Sequence, residues 1–271
     1  SGAEAYLTMR STFASSLAAL TIAQYILGIG DRHTENFMVE PATGRAIAID
    51  FGMAFGHATY TLPVPELMPF RLTNIFTSFL RPLDSSVLLT SAMVHTLGAL
   101  RARRHDLLRV MEVFVAEPLL DWEAVITKLS DKQVTDMHVD AEEAATAASA
   151  VAASSAVSSV RGGGGTATTT TQAAEDLRAF AKTRMAGVEQ RLSGGNSARI
   201  TMSELQYHIN YASDKEQMKA FEGVVLGPAD SVRRALPEGG LTTEQQIDCL
   251  VEHAQDPVIL GWAFPGWTPW L

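Results

Sequence analysis

The first stretch of the chain carries apolar residues at helical spacing. Between Glu4 and Leu27 the apolar residues recur at the spacing expected for a helix with one buried face. These residues are Leu7, Phe13, Leu17, Leu20 and Ile26. Gly28 and Gly30 then interrupt the pattern, as residues that end helices do. The pattern predicts one long helix that delivers the chain to Asp31.

Two short apolar runs follow this predicted helix. They cover residues 37–39 and 46–49, with turn-forming proline, threonine and glycine between them, which predicts a small β-hairpin. Asp50 comes immediately after its second strand. Residues 51–69 are rich in proline and glycine, so we expect an irregular loop there, and helices should resume near Leu72.

The other predicted elements are helices, so the fold class is mainly α. Two of them begin with a threonine followed three residues later by Glu or Gln, the spacing of a capping box. The predicted helices are 84–100, 105–115, 175–192, one opened by Thr201 and Glu204, and one that starts at Thr243 with Gln246 and ends at Pro257.

One segment, residues 141–174, has a different composition. It is made largely of Ala, Ser, Thr and Gly and holds almost no large apolar residue. Such a segment cannot offset the entropy of becoming ordered by burying surface. We therefore predict a disordered, low-complexity insertion, and its run of glycines lacks the strand and the Gly-Lys-Ser/Thr of a phosphate-binding loop.

Composition limits the classes of partner. The chain has 271 residues, 46% of them hydrophobic, and a formal net charge of −9. Because binding to nucleic-acid phosphates needs an excess of Lys and Arg, we expect no direct nucleic-acid contact by this segment. The single Cys249 excludes an internal disulfide and is expected to be a core thiol. The most apolar early stretch, 17–29, is shorter than the roughly 20 residues of a membrane span.

The strongest chemical signal is a pair of motifs on either side of the predicted hairpin. Residues 30–36 read Gly-Asp-Arg-His-Thr-Glu-Asn, and residues 50–52 read Asp-Phe-Gly. In protein kinases a catalytic Asp and a metal-binding Asn share one loop, and the Asp of Asp-Phe-Gly supplies a second metal contact. Asp31, Asn36 and Asp50 match those positions in order and spacing.

The order Asp-Arg-His, with His33 after the aspartate, resembles the phosphatidylinositol 3-kinase-related protein kinase family. Two further stretches carry the resemblance. Residues 62–73 are similar to the end of that family's activation loop, and residues 239–271 resemble its terminal FATC segment. The sequence departs from the family in two places. Met53 occupies a position where a family member that acts at broken DNA ends is expected to have His. The insertion, residues 141–174, matches nothing in the family.

The resemblance implies roles for these residues, with ATP and Mg²⁺, or Mn²⁺, as cofactors. Asp31 accepts or orients the proton of the substrate hydroxyl, and His33 stabilises charge on the transferred phosphoryl group. Asn36 and Asp50 hold the metal, and Met38 and Ile49 form part of the floor beneath adenine. The implied activation-loop residues are Phe51, Gly52, Glu66, Pro69, Phe70 and Arg71.

The resemblance also implies a domain organisation. We expect a kinase C-lobe core over 1–140, the insertion over 141–174, a helical extension over 175–238 and FATC over 239–271. No Gly-rich loop followed by a strand lysine precedes Asp31, so we expect the N-lobe to be absent from this segment. The segment alone should be nearly inactive and the intact parent active.

Three functions remain in competition: a protein kinase, a lipid kinase of the same superfamily, and a catalytically dead scaffold. A loop that selects phosphoinositide headgroups should be basic, yet residues 53–70 contain no Lys or Arg. Protein substrates are favoured, and the resemblance adds Ser/Thr-Gln sites.

The family resemblance further implies that the parent protein acts in the nucleus, in non-homologous end joining. It is expected to contact the Ku heterodimer and DNA ends through parts outside this segment. Trp262, Trp267 and Trp270 are expected to pack beside the activation loop.

Overall fold

The computed structural model describes residues 2–80, 85–113, 166–208 and 214–267. The chain divides into two compact units, Ser1–Met111 with Arg184–Leu271, and Glu112–Thr183. The helices are α1 Ala3–Leu27, α2 His57–Thr61, α3 Asn74–Ser78, α4 Ser85–Ala102, α5 Arg104–Met111, α6 Thr166–Leu192, α7 Ser197–Leu205, α8 Lys215–Leu226, α9 Thr243–Gln255 and α10 Pro257–Trp262. The strands are β1 Phe37–Val39 and β2 Ala46–Ala48.

Helix α1 is the central element of the first unit, and it confirms the predicted long helix. Its apolar face is buried at Phe13, Leu17 and Ile22, and α4 packs against it. The helix ends at Gly28, whose φ of 58° is left-handed and whose N–H donates to the carbonyl of Tyr25 at 3.1 Å. Glycine suits this position because it adopts a left-handed conformation without a side-chain clash. The chain therefore leaves α1 in a fixed direction.

The predicted hairpin is confirmed. β1 and β2 pair antiparallel, with Phe37 opposite Ala48 and Val39 opposite Ala46. Ala46 and Ala48 are buried on the side that faces α1, while Ile47 between them is exposed. The ring of Phe37 meets Phe76 of α3 edge-on, with 5.0 Å between the centroids. The hairpin is thus held against the helical body on one face only.

The loop after the hairpin is more ordered than predicted, because it contains the short helix α2. Gly56, at a left-handed φ of 78°, precedes the helix, and its N–H donates to the carbonyl of Gly28 at 2.8 Å. Ala58 and Thr59 are buried beneath the end of α1. The helix is too short for a periodic pattern, so tertiary contacts decide that it forms.

Two predicted helix starts were wrong. Helix α7 begins at Ser197, because the Asn196 side chain accepts hydrogen bonds from the backbone N–H groups of Ala198 and Arg199, whereas Thr201 lies buried inside the helix. Helix α9 has its capping box one residue earlier than predicted. Thr242 is the cap, and the partner is Gln245.

Helix α6 starts at Thr166, so its first nine residues lie in the segment predicted to be disordered. Extending an existing helix adds one hydrogen bond for each residue fixed and needs no burial. Residues 141–165 lie outside the described part of the chain, as do Pro82 and Trp270. Within the described residues no helix is long and apolar enough to cross a membrane.

Candidate active site

The residues between α1 and β1 form a tight loop around Asp31. Asp31 itself has a left-handed φ of 59°, which is uncommon for a residue with a side chain. The Nδ2 of Asn36, which lies in a short 3₁₀ turn, donates to the main-chain carbonyl of Asp31 at 2.8 Å. The sequence spacing of these two residues is therefore explained by a direct bond that closes the loop.

The hairpin brings the chain back to Asn36. The N–H of Ile49 donates to the main-chain carbonyl of Asn36 at 3.1 Å. Asp50 follows at a left-handed φ of 58°, and its Oδ1 accepts from the N–H of Gly52 at 3.2 Å. The structure therefore brings together Asn36 and the start of the Asp-Phe-Gly motif, which the sequence places on opposite sides of the hairpin.

Arg32 is the site residue to which the sequence analysis assigned no role. It is 1% exposed, and its guanidinium donates to the main-chain carbonyls of Gly30, Ile49 and Asp50. Burial lowers its pKa, and the carboxylates of Glu66, Asp31 and Asp50 act in the opposite direction. The sequence showed only that Arg32 is a charged residue inside the motif, which did not indicate its hydrogen-bond partners.

The donors at this site suit a hard divalent cation. Mg²⁺ prefers oxygen ligands and usually takes one or two from protein together with substrate phosphates. Asp50 offers an exposed carboxylate. Asn36 donates through its Nδ2, which leaves its amide oxygen as the ligand atom. Among the described residues no group of three or more His, Cys, Asp or Glu forms a cage that could hold a metal by itself.

An apolar surface lies next to Asn36 and Asp50. Met38 is 46% exposed and Ile49 is 42% exposed, although both belong to the hairpin region. Phe51 is also exposed, and the guanidinium carbon of Arg32 lies 5.8 Å from its ring centroid. These positions are compatible with the predicted adenine floor, which stays a prediction.

We call the whole Pro- and Gly-rich segment, residues 51–73, the activation loop. Its C-terminal part folds back under Asp31. Glu66 is 5% exposed, and its Oε2 accepts the N–H of Asp31 at 2.6 Å. Burial raises the pKa of Glu66 to about 7, while hydrogen bonds from the backbone of Asp31 and Arg32 act against that rise. The activation loop therefore contacts residues 30–36, the predicted catalytic loop, through a buried carboxyl group.

The other predicted activation-loop residues divide by location. Gly52 is exposed beside Phe51, Pro69 is half-buried, and Phe70 and Arg71 are each 1% exposed. Burial lowers the pKa of Arg71, and the charge of Glu66 raises it. Phe70 and Arg71 thus hold the end of the loop in the core and do not face solvent.

His33 precedes the 3₁₀ turn that carries Asn36. It is half-buried and has extended backbone angles. Its effect on a transferred phosphoryl group stays a prediction.

Comparison with known proteins gives this arrangement a family. Residues 1–124 match the family described as phosphatidylinositol 3- and 4-kinase, and residues 240–271 match the FATC domain. The chain carries a phosphatidylinositol 3- and 4-kinase domain followed by a FATC domain. The family resemblance drawn from the motifs is thereby confirmed.

Individual relatives agree with this assignment. Over 99% of its length, the chain is 39% identical to the DNA-dependent protein kinase catalytic subunit of Dictyostelium discoideum, of which it covers 5%. The corresponding protein of Mus musculus is 40% identical over 99% of the chain and 6% of that protein. The chain therefore spans about one-twentieth of the length of these relatives. TOR2 of Saccharomyces cerevisiae is 37% identical over 44% of the chain and 5% of that protein.

A solved structure supports the fold. The FAT and kinase domain of CtTel1 matches 99% of this chain and 13% of that structure's chain, with a TM-score of 0.57 and 17% identity. At this identity the likeness concerns the fold alone. It confirms the predicted fold class, a mainly helical kinase domain with one small hairpin.

The FATC domain docks beneath the activation loop of the kinase domain. Leu67 and Met68 share one buried cluster with Ile259 and Ala263 of the FATC domain, and residues of α7 and α8, among them Phe221, belong to the same cluster. Trp262 meets Phe221 edge-on at 5.1 Å between centroids. The contacts beside Leu67 and Met68 are made by Ile259 and Ala263, whereas Trp262 of α10 packs against Phe221 of α8. Packing of the tryptophans beside the activation loop stays a prediction, and Trp270 lies outside the described residues.

Helix α9 of the FATC domain is anchored by polar groups. The Oγ of Ser197 lies 3.0 Å from Nδ1 of His253 and 3.5 Å from Sγ of Cys249. Burial and, to a smaller extent, the nearby charge of Arg233 lower the pKa of His253 to about 3, so this imidazole is neutral. Cys249 is buried with a raised pKa, which confirms the predicted core thiol.

Proposed function

We propose that this chain is the catalytic and FATC portion of a Ser/Thr protein kinase of the DNA-dependent protein kinase type. One observation carries the proposal. The catalytic loop and the Asp-Phe-Gly motif are joined by Arg32 and by the bond between Ile49 and Asn36, so Asp31, Asn36 and Asp50 occupy one site. Phosphoryl transfer asks a protein mainly to position reactants and to neutralise charge.

Each residue has a defined task in this proposal. Asp31 orients the Ser or Thr hydroxyl and takes its proton as the oxygen forms a bond to the γ-phosphorus and the bond to the β-phosphate oxygen breaks. Asn36 and Asp50 bind Mg²⁺, or Mn²⁺, which neutralises charge on the phosphates. His33 stabilises charge on the transferred group, and Met38 and Ile49 support the adenine of ATP.

The activation loop favours protein over lipid substrates. A phosphoinositide headgroup requires cationic side chains, yet residues 53–70 contain neither Lys nor Arg. The next cation, Arg71, is 1% exposed and does not face solvent. A loop without exposed positive charge suits a polypeptide better than a phosphorylated lipid. This observation supports a protein substrate over the lipid-kinase alternative.

The wider role is proposed from the relatives, which are named DNA-dependent protein kinase catalytic subunit. We propose that the whole protein acts in the nucleus in non-homologous end joining, phosphorylates Ser/Thr-Gln sites and is recruited by the Ku heterodimer at DNA ends. With a net charge of −9, this segment is a poor partner for DNA. DNA contact is therefore assigned to other parts of the protein.

The test is phosphorylation of a Ser-Gln peptide by the full-length protein, with and without broken DNA ends. Asp50→Ala removes a metal ligand and is expected to abolish transfer. Asp230→Ala is the matched control, because Asp230 is an exposed carboxylate remote from the site in sequence and has no catalytic role here. Activity that depends on DNA ends and is lost only in Asp50→Ala supports the proposal.

Other outcomes select the alternatives. A wild-type protein that binds Mg-ATP but transfers no phosphate to any peptide is a scaffold. Transfer to phosphatidylinositol vesicles without transfer to peptide identifies a lipid kinase. Transfer to peptide that is indifferent to broken DNA ends retains the kinase and removes the end-joining role.

A further inference from the structure

Glu66 reaches across the fold to the backbone of the catalytic loop. It lies 35 residues after Asp31, yet its Oε2 accepts the N–H of Asp31 at 2.6 Å. The backbone of Arg32 also forms a hydrogen bond to this carboxyl group. A buried carboxylate is costly unless such donors surround it. Because Glu66 contacts main-chain atoms, its effect falls on the conformation of the loop.

That conformation needs support. Asp31 has a left-handed φ of 59°, a strained region for a residue with a side chain. Both of its main-chain polar groups are held by side chains. Asn36 donates to its carbonyl at 2.8 Å, and Glu66 accepts from its N–H. Asn36 belongs to the same loop as Asp31, whereas Glu66 belongs to the activation loop, so the bond from Asp31 to Glu66 joins the two loops.

The close approach depends on Gly30. A Cβ at this position would lie 2.4 Å from Oε2 of Glu66 and 2.2 Å from Cβ of Ala58. Real side chains essentially never approach so closely, so any larger residue would displace the carboxyl group or α2. The absence of a side chain at Gly30 therefore leaves the room that Glu66 occupies.

Glu66 is itself held by its neighbours in the activation loop. Its main-chain carbonyl accepts from Oγ1 of Thr59 at 3.1 Å. The next two residues, Leu67 and Met68, are buried in the cluster that includes Ile259 of the FATC domain. A shift of the activation loop or of the FATC domain therefore moves the carboxyl group that accepts the hydrogen bond from Asp31.

We infer that Glu66 is a positioning residue that keeps Asp31 in its left-handed conformation, and so makes the catalytic loop depend on a docked activation loop and FATC domain. This inference rests on the proposed kinase function. It assigns Glu66 no contact with substrate or metal. The arrangement couples order in the activation loop to the geometry of the catalytic aspartate through one buried hydrogen-bonded group.

The test compares Glu66→Ala with Glu66→Gln in the full-length protein. Alanine removes both acceptor oxygens, whereas glutamine keeps one. In Glu66→Ala we expect kcat to fall about tenfold or more, with the KM values for Mg-ATP and peptide within about threefold of wild type, because orientation and not binding is lost. Glu66→Gln should restore most of the rate.

A second readout does not depend on activity. Hydrogen exchange of the peptide that spans residues 28–36 reports the amides of Asp31 and Arg32, and we expect it to accelerate about tenfold in Glu66→Ala. Glu204→Gln is the matched control. Glu204 pairs with Arg191 and borders the same cavity as Glu66, but no hydrogen bond links it to the backbone of Asp31. It should not accelerate exchange in this peptide selectively.

Two results overturn the inference. One is unchanged exchange and kcat in Glu66→Ala. The other is equal damage by Glu66→Gln and Glu66→Ala, which assigns the effect to the charge of Glu66 beside Arg32. A wild-type protein without phosphotransfer defeats the proposed function, whereas the exchange measurement still decides whether Glu66 holds the backbone.

Discussion

The guanidinium of Arg32 donates a hydrogen bond to the main-chain carbonyl of Asp50. A second one goes to the carbonyl of Ile49 at 2.9 Å, and the side chain is 1% exposed. The arginine therefore fixes where the Asp-Phe-Gly motif begins relative to the catalytic loop. The planar guanidinium presents five donors in a fixed fork, which suits one side chain that bonds several carbonyls at defined angles.

Replacing Arg32 should disturb metal binding through Asp50. In Arg32→Lys the positive charge remains but the fork is lost, so we expect kcat to fall about 100-fold, equivalent to about 3 kcal/mol, with a raised requirement for Mg²⁺. Steady-state kinetics at varied Mg²⁺ measures both effects. Arg199→Ala, at an exposed arginine, serves as the control. An Arg32→Lys protein with wild-type kinetics would show that the carbonyl contacts do not matter.

Gly30 and Gly98 form a pair of glycines with opposite expected responses to alanine. At Gly30 a Cβ meets Ala58 and Glu66, so Gly30→Ala should cost about 1–3 kcal/mol and lower kcat. At Gly98, inside α4, a Cβ meets nothing within 4 Å, so Gly98→Ala should stabilise the helix by up to about 1 kcal/mol. Urea-dependent pulse proteolysis of the full-length protein, with fragments followed by mass spectrometry, measures both changes. Equal effects would contradict the packing.

Glu66 should make stability depend on pH. Its pKa rises from an ordinary 4.5 to about 7 on folding, so the folded state binds an extra proton between these values. Stability is therefore greatest below pH 4.5 as far as this group is concerned. It declines as the pH rises to about 7 and is constant above, a difference on the order of 3 kcal/mol.

The check is pulse proteolysis of wild type and Glu66→Gln at several pH values. The stability of wild type relative to Glu66→Gln should fall between about pH 4.5 and 7, because glutamine does not titrate in this range. A constant difference across this window would mean that the carboxyl group titrates near its usual pKa and is better solvated than its burial indicates.

Arg233 should anchor the FATC domain. It is 1% exposed and pairs with Glu252 and Asp256, and its NH1 donates to the carbonyl of Val225. Breaking such a buried pair typically costs about 3–5 kcal/mol, because a charge is left uncompensated. We expect a loss of this size in Arg233→Ala, measured as faster hydrogen exchange in α9.

The neighbouring Arg234 provides the control for this prediction. It is exposed and donates to the carbonyls of Gly227 and Pro228. Exposed groups exchange these bonds for bonds to water, so Arg234→Ala should cost about 1 kcal/mol or less. A comparable loss in both variants would show that the acidic partners of Arg233 contribute little.

Most of the secondary structure could be predicted from local patterns. The bounds of α1 and of the hairpin followed from periodicity and from turn residues, because both elements are set by nearby positions. The start of α9 could not be fixed, because Thr242 and Thr243 are each followed three residues later by a glutamine. Packing decides which glutamine takes part in the cap. Gln246 is buried and donates to Tyr25 and to the carbonyl of Gly195. Gln245 is therefore the residue that completes the capping box.

The candidate site was predictable only in part. The motif positions identified Asp31, Asn36 and Asp50, since their order and spacing are a local property of the chain. Glu66 was assigned to the activation loop by resemblance, but nothing in its neighbours indicated a bond to the backbone of Asp31. Arg32 was visible as a motif residue without a partner. Both roles depend on contacts between residues far apart in sequence.

The sequence by itself determined the family motifs and the elements that carry them, because side-chain type, spacing and periodicity are local. Only the tertiary structure decided how the catalytic loop is held. The left-handed backbone of Asp31, the burial of Glu66 and the reach of Arg32 to Asp50 arise when α1, the hairpin and the activation loop close around one point. That closure is a property of packing between distant segments, which no local pattern encodes.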